Sequence, residues 1–117
     1  MNNYRELLVW RKAVDFAVRI YKETERFPKT EVYGITSQLR RASASIAANI
    51  AEGSGRNSDK EFVHFLSIAL GSIYEVETFL CIAKEIAYLA EDNYNELLTA
   101  TNELNKMLKA LQKSKNI

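Results

Sequence analysis

The stretch that decides the fold is residues 58–88, SDKEFVHFLSIALGSIYEVETFLCIAKEIAY. Along it runs an apolar stripe whose members are spaced alternately four and three residues apart: Phe62, Leu66, Ala69, Ile73, Val76, Leu80, Ala83 and Ala87. This spacing keeps one side of an α-helix in continuous contact with a partner helix. Ser58 and Glu61 have the spacing of a capping box at a helix start. The pattern therefore predicts one long, unbroken helix over residues 58–88.

A second stripe lies beside the first and consists of Phe65, Ile68, Ser72, Glu75, Phe79, Ile82 and Ile86. It is apolar at both ends and carries a polar pair, Ser72 and Glu75, in its middle. A helix on the outside of a small bundle needs only one apolar stripe. Two stripes predict burial from two sides, and we expect Phe65, Phe79 and Ile82 to pack against a second copy of the chain.

Composition limits the class of protein. A chain of 117 residues, of which 47% are apolar and 26% charged, predicts one soluble domain spanning residues 1–117. The single cysteine, Cys81, allows no intramolecular disulfide and is typical of a cytoplasmic protein. Because no uninterrupted apolar run approaches the ~20 residues of a membrane span, no membrane partner is expected.

Helix signals divide the rest of the chain into three further helices. The first covers residues 5–25, with Trp10, Phe16 and Tyr21 expected in the core, and ends before Pro28. The second begins near Ile35 and is expected to stop at Gly53 in a left-handed conformation. The fourth begins near residue 92. Four helices with short connections predict an all-α, antiparallel up-down-up-down bundle.

Residues 38–53, QLRRASASIAANIAEG, resemble the signature of bacterial four-helix-bundle proteins encoded in 23S rRNA intervening sequences. Three shorter segments support the resemblance: Leu8-Val9-Trp10, Phe27-Pro28 with Glu31 and Gly34, and Ala69-Leu70-Gly71-Ser72 with Glu75 and Glu77. Together they extend the similarity over about residues 7–111.

The resemblance implies an antiparallel bundle that assembles as a five-fold ring, so that the expected partner is the chain itself. It implies no established enzymatic activity. Such proteins are similar in fold to the accessory protein of diversity-generating retroelements, which binds nucleic acid and a reverse transcriptase. Those proteins are strongly basic, whereas this chain has a net charge of +1.

Arg40 and Arg41 are the first candidate site residues. In a hairpin of the second and third helices they are expected opposite residues 70–72, one turn from Glu75. A structural ion pair from Arg41 to Glu75 or Glu77 is the first interpretation, because a partly buried carboxylate needs a partner. Contact of the arginines with phosphate is the second, and simple exposure to solvent is the third.

The end of the second helix carries the next candidates. Asn49, Glu52 and Gly53 are interpreted as residues that fix the hairpin or a subunit contact, since Glu52 has no companion suited to acid–base chemistry. Gly53 to Arg56 lacks the lysine–serine pair of a phosphate loop and is interpreted as a helix end. Arg56 nevertheless lies beside the free amides at the start of the third helix, where an anion could bind.

No catalytic, metal or cofactor site is predicted. His64 and Cys81 are the sole residues of their types and lie 17 positions apart on one helix, which excludes a zinc cluster within one chain. Ser67 lacks the partners of a catalytic triad.

The sequence favours a non-enzymatic homo-oligomeric scaffold. The alternative is a ring that binds RNA or DNA through Arg40, Arg41 and Arg56, gathered by oligomerisation into one positive field. A third hypothesis is an adaptor that binds another protein through the third helix, where residues 58–89 carry five acidic and two basic side chains.

Overall fold

The computed structural model describes residues 3–115, which form four α-helices. These are α1 (Leu8–Thr24), α2 (Ile35–Ser54), α3 (Asp59–Glu85) and α4 (Glu91–Ser114). Single 3-10 turns precede α1 at Tyr4–Glu6 and lie between α1 and α2 at Lys29–Glu31. No strand occurs within residues 3–115, so the all-α prediction is confirmed.

The four helices contact one another in cyclic order: α1 with α2, α2 with α3, α3 with α4, and α4 with α1. The resulting molecule measures 43 × 23 × 20 Å. Its interior is made mostly by aliphatic side chains, and the largest that are fully buried are Ile20, Leu39, Ile46, Ile50, Leu66, Ile73, Leu80, Leu97, Leu104 and Leu108. Every helix contributes to this list, so one hydrophobic core holds the chain together.

The first stripe of α3 is the side that faces the core. Its members from Phe62 to Ala83 are all at most 2% exposed. The serine half of the predicted capping box is present at the start of the helix, where the Glu61 amide donates to the Ser58 hydroxyl oxygen at 3.2 Å. The Glu61 carboxylate accepts from the Ser58 hydroxyl at 3.4 Å, whereas the capping box predicts that it accepts from the Ser58 amide. By length and composition alone α3 is long and apolar enough to cross a membrane, and 39% of its most apolar 18-residue stretch is buried inside the fold.

The far end of α3 is shorter than predicted, because the helix ends at Glu85 and not at residue 88. Ala87 has a φ of 68°, a conformation usually reserved for glycine at this position. This conformation lets the Ala87 amide donate a hydrogen bond to the Lys84 carbonyl oxygen at 3.0 Å. The Tyr88 amide likewise donates a hydrogen bond to the Ala83 carbonyl oxygen at 2.8 Å. The last carbonyls of the helix are thereby satisfied, and the chain turns towards α4.

The end of α2 also differs from the prediction. Gly53 is a buried residue inside α2, which continues to Ser54, and no glycine in the described chain has a positive φ. A Cβ atom added to Gly53 would lie 2.7 Å from Cβ of Phe65 and 2.9 Å from Cδ1 of Phe62. Glycine is therefore required here for the close approach of α2 and α3, and its expected role as a left-handed cap is wrong.

Tyr88 fastens the loop after α3 to the connector between α1 and α2. Its hydroxyl donates to Oε2 of Glu31 at 2.8 Å, and its ring lies 5.6 Å from that of Phe27. The hydrogen bond to Glu31, followed by burial, raises the pKa of Tyr88 above its usual 10.0. The protonated hydroxyl is thus the form that the fold favours.

We expect Tyr88→Phe to lower the thermal midpoint by a few degrees, because the ring remains while the hydrogen bond to Glu31 is lost. A raised pKa contributes stability that is complete below pH 10 and lost as the pH rises through the folded-state value. The variant should therefore lose part of the alkaline dependence of the wild-type midpoint, measured by circular dichroism between pH 7 and 11. Tyr33→Phe is the matched control, since Tyr33 is 95% exposed in the same region; an equal effect of both changes would contradict the assignment.

Candidate functional site

The Arg40 side chain links α2 to the C-terminal end of α1. Its Nε donates to the Thr24 hydroxyl oxygen at 2.9 Å, and one terminal nitrogen donates to the Tyr21 carbonyl at 3.2 Å. The guanidinium also lies 4.8 Å from the centre of the Tyr21 ring. Arg40 thus satisfies a carbonyl at the C-terminal end of α1, where helix carbonyls lack intrahelical partners. No local pattern indicates this partner, because Thr24 lies 16 positions earlier on a different helix.

Arg41 forms the predicted ion pair with Glu75, whose Oε2 lies 2.6 Å from a terminal nitrogen of the guanidinium. The two side chains are 58% and 37% exposed, so the pair stabilises the fold by about 1 kcal/mol at most. Arg41 lies opposite Glu75 and not opposite residues 70–72. The hairpin register differs from the prediction because α2 continues through Gly53 to Ser54 and displaces the turn.

A second polar contact joins α2 to α3 beside this ion pair. The hydroxyl of Ser72, which is buried, donates to the Ser45 hydroxyl oxygen at 3.0 Å. Asn49 donates its side-chain amide to the carbonyl of Ser45 at 2.8 Å and to its hydroxyl oxygen at 2.9 Å. Asn49 and Ser72 are therefore connected through Ser45, and they belong to the interior of the α2–α3 hairpin.

Arg56 lies at the turn between α2 and α3. It pairs with Glu52 at 3.0 Å and approaches Glu61 at 3.9 Å, while its guanidinium lies 4.7 Å from the centre of the Phe65 ring. Fifteen positions separate Arg56 from Arg41, which corresponds to roughly 22 Å along a helix. Arg40 and Arg41 in turn face α1 and α3, respectively. Within one chain the three arginines do not form a cluster.

In the described part of the chain, His64, Ser67 and Cys81 do not form a catalytic or metal-binding arrangement. His64 is exposed and lies edge-on to Phe65, with ring centres 5.6 Å apart. Ser67 accepts a hydrogen bond from the Gln112 amide of α4 at 2.8 Å, and Cys81 is exposed. Among the described residues, no three histidine, cysteine, aspartate or glutamate side chains are grouped so as to hold a metal ion.

The outer side of α3 leaves large apolar side chains in solvent. Ile68 is 39%, Ile82 44% and Ile86 48% exposed, and Phe65 and Phe79 are partly exposed. The second stripe of α3 is thus only partly covered by its own chain.

A second apolar surface is the α1–α2 groove, a depression of about 510 Å³ lined by Val14, Ala17, Val18, Tyr21, Lys22, Ala44 and Ala47. Val18 and Tyr21 are almost half exposed, so the expectation that Tyr21 lies in the core is wrong. Phe16 is buried as expected, whereas Trp10 is partly buried. The signal for this groove was present in the sequence as the wide apolar arc of α1 beside the alanines of α2.

Comparison with known proteins agrees with this architecture. The profile of the family described as 23S rRNA-intervening sequence protein matches residues 5–110. A crystal structure at 1.70 Å of a protein of unknown function, from the S23 ribosomal protein family of Bacteroides thetaiotaomicron, is similar in fold and sequence. Its TM-score is 0.81 at 30% identity, and the match covers 91% of this chain and 99% of that chain. No curated protein matches the sequence significantly.

Proposed function

This chain belongs to the family of 23S rRNA-intervening sequence proteins, and from that premise we propose that it is a non-enzymatic, homo-oligomeric helical scaffold. The observation that carries the proposal is the apolar surface left in solvent by one copy. The exposed residues are Ile68 and Ile82 on α3, Ile86 directly after it, and Val18 and Tyr21 on α1, each between 39% and 48% exposed. Exposed apolar surface of this kind is typical of protein–protein contact sites.

The finer architecture that we propose is an antiparallel up-down-up-down bundle, and several side-chain contacts support it. Along α1, Lys12 pairs with Glu103, and the later residue Arg19 pairs with the earlier residue Glu96 of α4. Contacts of α2 with α3 follow the same order, since Arg41 meets Glu75 and Gly53 meets Phe62. The long sides of such a bundle are free for contact with further copies.

The resemblance to the 23S rRNA intervening-sequence proteins adds the expectation of a pentamer. Light scattering coupled to size exclusion tests both parts of the proposal. We expect a mass of five times the 13.4 kDa of one chain at micromolar concentration. Another multiple would retain the scaffold and reject the pentamer, whereas a stable single-chain mass would reject the scaffold.

Binding of RNA or DNA by the assembled ring is the second candidate function. It is supported by Arg41 and Arg56, whose side chains are 58% and 41% exposed although each is paired with one carboxylate. Repetition around a ring would multiply their field. The rRNA in the family's description makes a structured RNA the first ligand to test.

Replacing Arg41 and Arg56 together by glutamine should abolish a salt-dependent mobility shift of that RNA. Lys113→Gln, at an exposed position near the end of α4, is the matched control and should leave the shift intact. Absence of any shift for the wild-type protein in low salt would reject this function.

A further inference from the structure

We propose that the outer face of α3 in one copy packs into the α1–α2 groove of the next copy, so that each copy offers two different surfaces to its neighbours. The outer face, here named the α3 ridge, comprises Ile68, Gly71, Glu75 and Ile82 of α3 and Ile86 directly after the helix. This inference rests on the proposed homo-oligomer and specifies its interface.

Contacts within a single chain do not explain why position 71 is a glycine. A Cβ atom added to Gly71 would meet no atom within 4 Å, so that nothing in its own fold requires a glycine. A glycine in a helix interior costs about 0.5–1 kcal/mol relative to alanine. Gly71 lies one turn from both Ile68 and Glu75, near the N-terminal end of the α3 ridge. A glycine there permits close approach of a helix from outside the chain.

The shape of the groove complements this ridge. The α2 side of the groove is made by Ala44 and Ala47, whose short side chains leave the depression open. On the α3 ridge, Ile68 and Ile82 project branched apolar side chains that their own chain leaves 39% and 44% exposed. Packing protruding side chains into such a depression is the usual mode of helix association. It would remove apolar surface of both partners from water.

The charges beside the two surfaces are also complementary. Lys22 lies at the rim of the groove, and it forms no ion pair with any residue in the described part of the chain. Glu85 lies next to Ile86 of the ridge, and its side chain is 68% exposed despite a contact with Lys84 at 3.4 Å. Glu85 at one end of the ridge and Lys22 at the groove rim carry opposite charges, which favours contact between the unlike surfaces.

The positions of the two surfaces on the bundle determine which kind of assembly forms when the contact is repeated from copy to copy. The groove lies between α1 and α2, and the ridge lies towards α2 on α3, where Glu75 meets Arg41. A contact between these two unlike surfaces is head-to-tail, since each copy uses its ridge on one neighbour and its groove on another. Such a contact repeats from copy to copy and forms a ring where the rotation closes, or an open filament where it does not. The ring is thus the closed form of the ridge-in-groove contact.

Two tryptophan variants test the contact from its two sides. Gly71→Trp adds bulk to the ridge where its own chain leaves open space, and Ala44→Trp fills the groove from an exposed position on α2. We expect each variant to keep the helix content of the wild type and to fall to a single-chain mass by light scattering. Asn102→Trp, at an exposed position of α4, is the matched control and should retain the wild-type mass.

Mixing the two variants identifies which surfaces meet. Gly71→Trp retains an intact groove and Ala44→Trp retains an intact ridge, so that the mixture should form complexes of twice the 13.4 kDa chain mass and no larger species. Retention of the assembled mass by the separate variants would overturn the inference while leaving the homo-oligomer in place. Dissociation without recovery on mixing would overturn the pairing of ridge with groove. A single-chain mass for the wild-type protein would reject both the inference and the proposed function.

A charge exchange gives an independent measurement. Lys22→Glu and Glu85→Lys should each raise the concentration at which the assembly half-dissociates by about tenfold or less, and the double variant should recover part of the loss. Equal and additive losses without recovery would overturn the proposed contact between these two residues.

Discussion

Gly53→Ala is expected to destabilise the fold by about 1–3 kcal/mol, the usual cost of overpacking a well-filled interior. The sign is the opposite of that expected for an ordinary helix interior, where alanine is favoured over glycine. The added methyl would lie 2.7 Å from Cβ of Phe65 and 3.2 Å from the carbonyl oxygen of Phe62. Neither atom belongs to the free end of a flexible side chain. Because both are held by α3, the helices themselves would have to separate.

Urea denaturation followed by circular dichroism would measure this loss. Gly55→Ala is the matched control, since Gly55 lies two positions later with a φ of −83°, and an added Cβ would meet only carbonyl oxygens at 3.6 and 3.8 Å. We expect this control to change the free energy of unfolding by less than about 0.5 kcal/mol. A neutral or stabilising effect of Gly53→Ala would show that α2 and α3 are not in the close contact described above.

Leu66→Ala should cost about 2–5 kcal/mol of unfolding free energy, as for other fully buried leucines. Leu66 has no solvent exposure and belongs to the core. Its removal would therefore leave a cavity between helices that are also held together elsewhere. Incomplete collapse around such a cavity is what makes the loss larger than the transfer free energy of the side chain alone.

Ile68→Ala, two positions further along the same helix, is the matched comparison. Ile68 is 39% exposed in one chain, and its truncation should cost less than about 1 kcal/mol in that chain. Both variants should be unfolded over a range of protein concentrations. A loss at Ile68 that increases with concentration would indicate burial by a second copy. An equal, concentration-independent loss at both positions would contradict the burial pattern of α3.

The features of this fold that could be predicted are those determined by residues that lie close together in the sequence. Four-and-three spacing located the buried side of α3, because the period of a helix and the position of its apolar residues are both present in the local sequence. The capping contact of Ser58 with Glu61 has the same origin, since both partners lie within one turn. A hairpin of α2 and α3 predicts an ion pair of Arg41 with Glu75 or Glu77, and the first of these is present although the predicted register of the hairpin is wrong.

The parts that could not be predicted depend on residues distant in the sequence. Ala87 has no local signal for a left-handed conformation, and its neighbour Tyr88 is held by Glu31, 57 positions earlier. A glycine near a helix end can serve as a cap or as a contact point, and only the proximity of Phe65 decides for Gly53. Arg40 likewise binds Thr24 of α1, whereas the hairpin pattern predicts that it faces α3.

The polar contacts between α2 and α3 exclude one particular misfolded alternative. Small residues on α2 make a smooth surface on which a neighbouring helix could slip by one turn, about 5.4 Å, with little change in apolar burial. Such a slip would separate Ser72 from Ser45 and take this acceptor away from the buried Ser72 hydroxyl, whereas Ser45 would keep its contact with Asn49 of the same helix. The two serines thus favour the observed register of the hairpin over registers shifted by one turn. They add little to the strength of the contact itself.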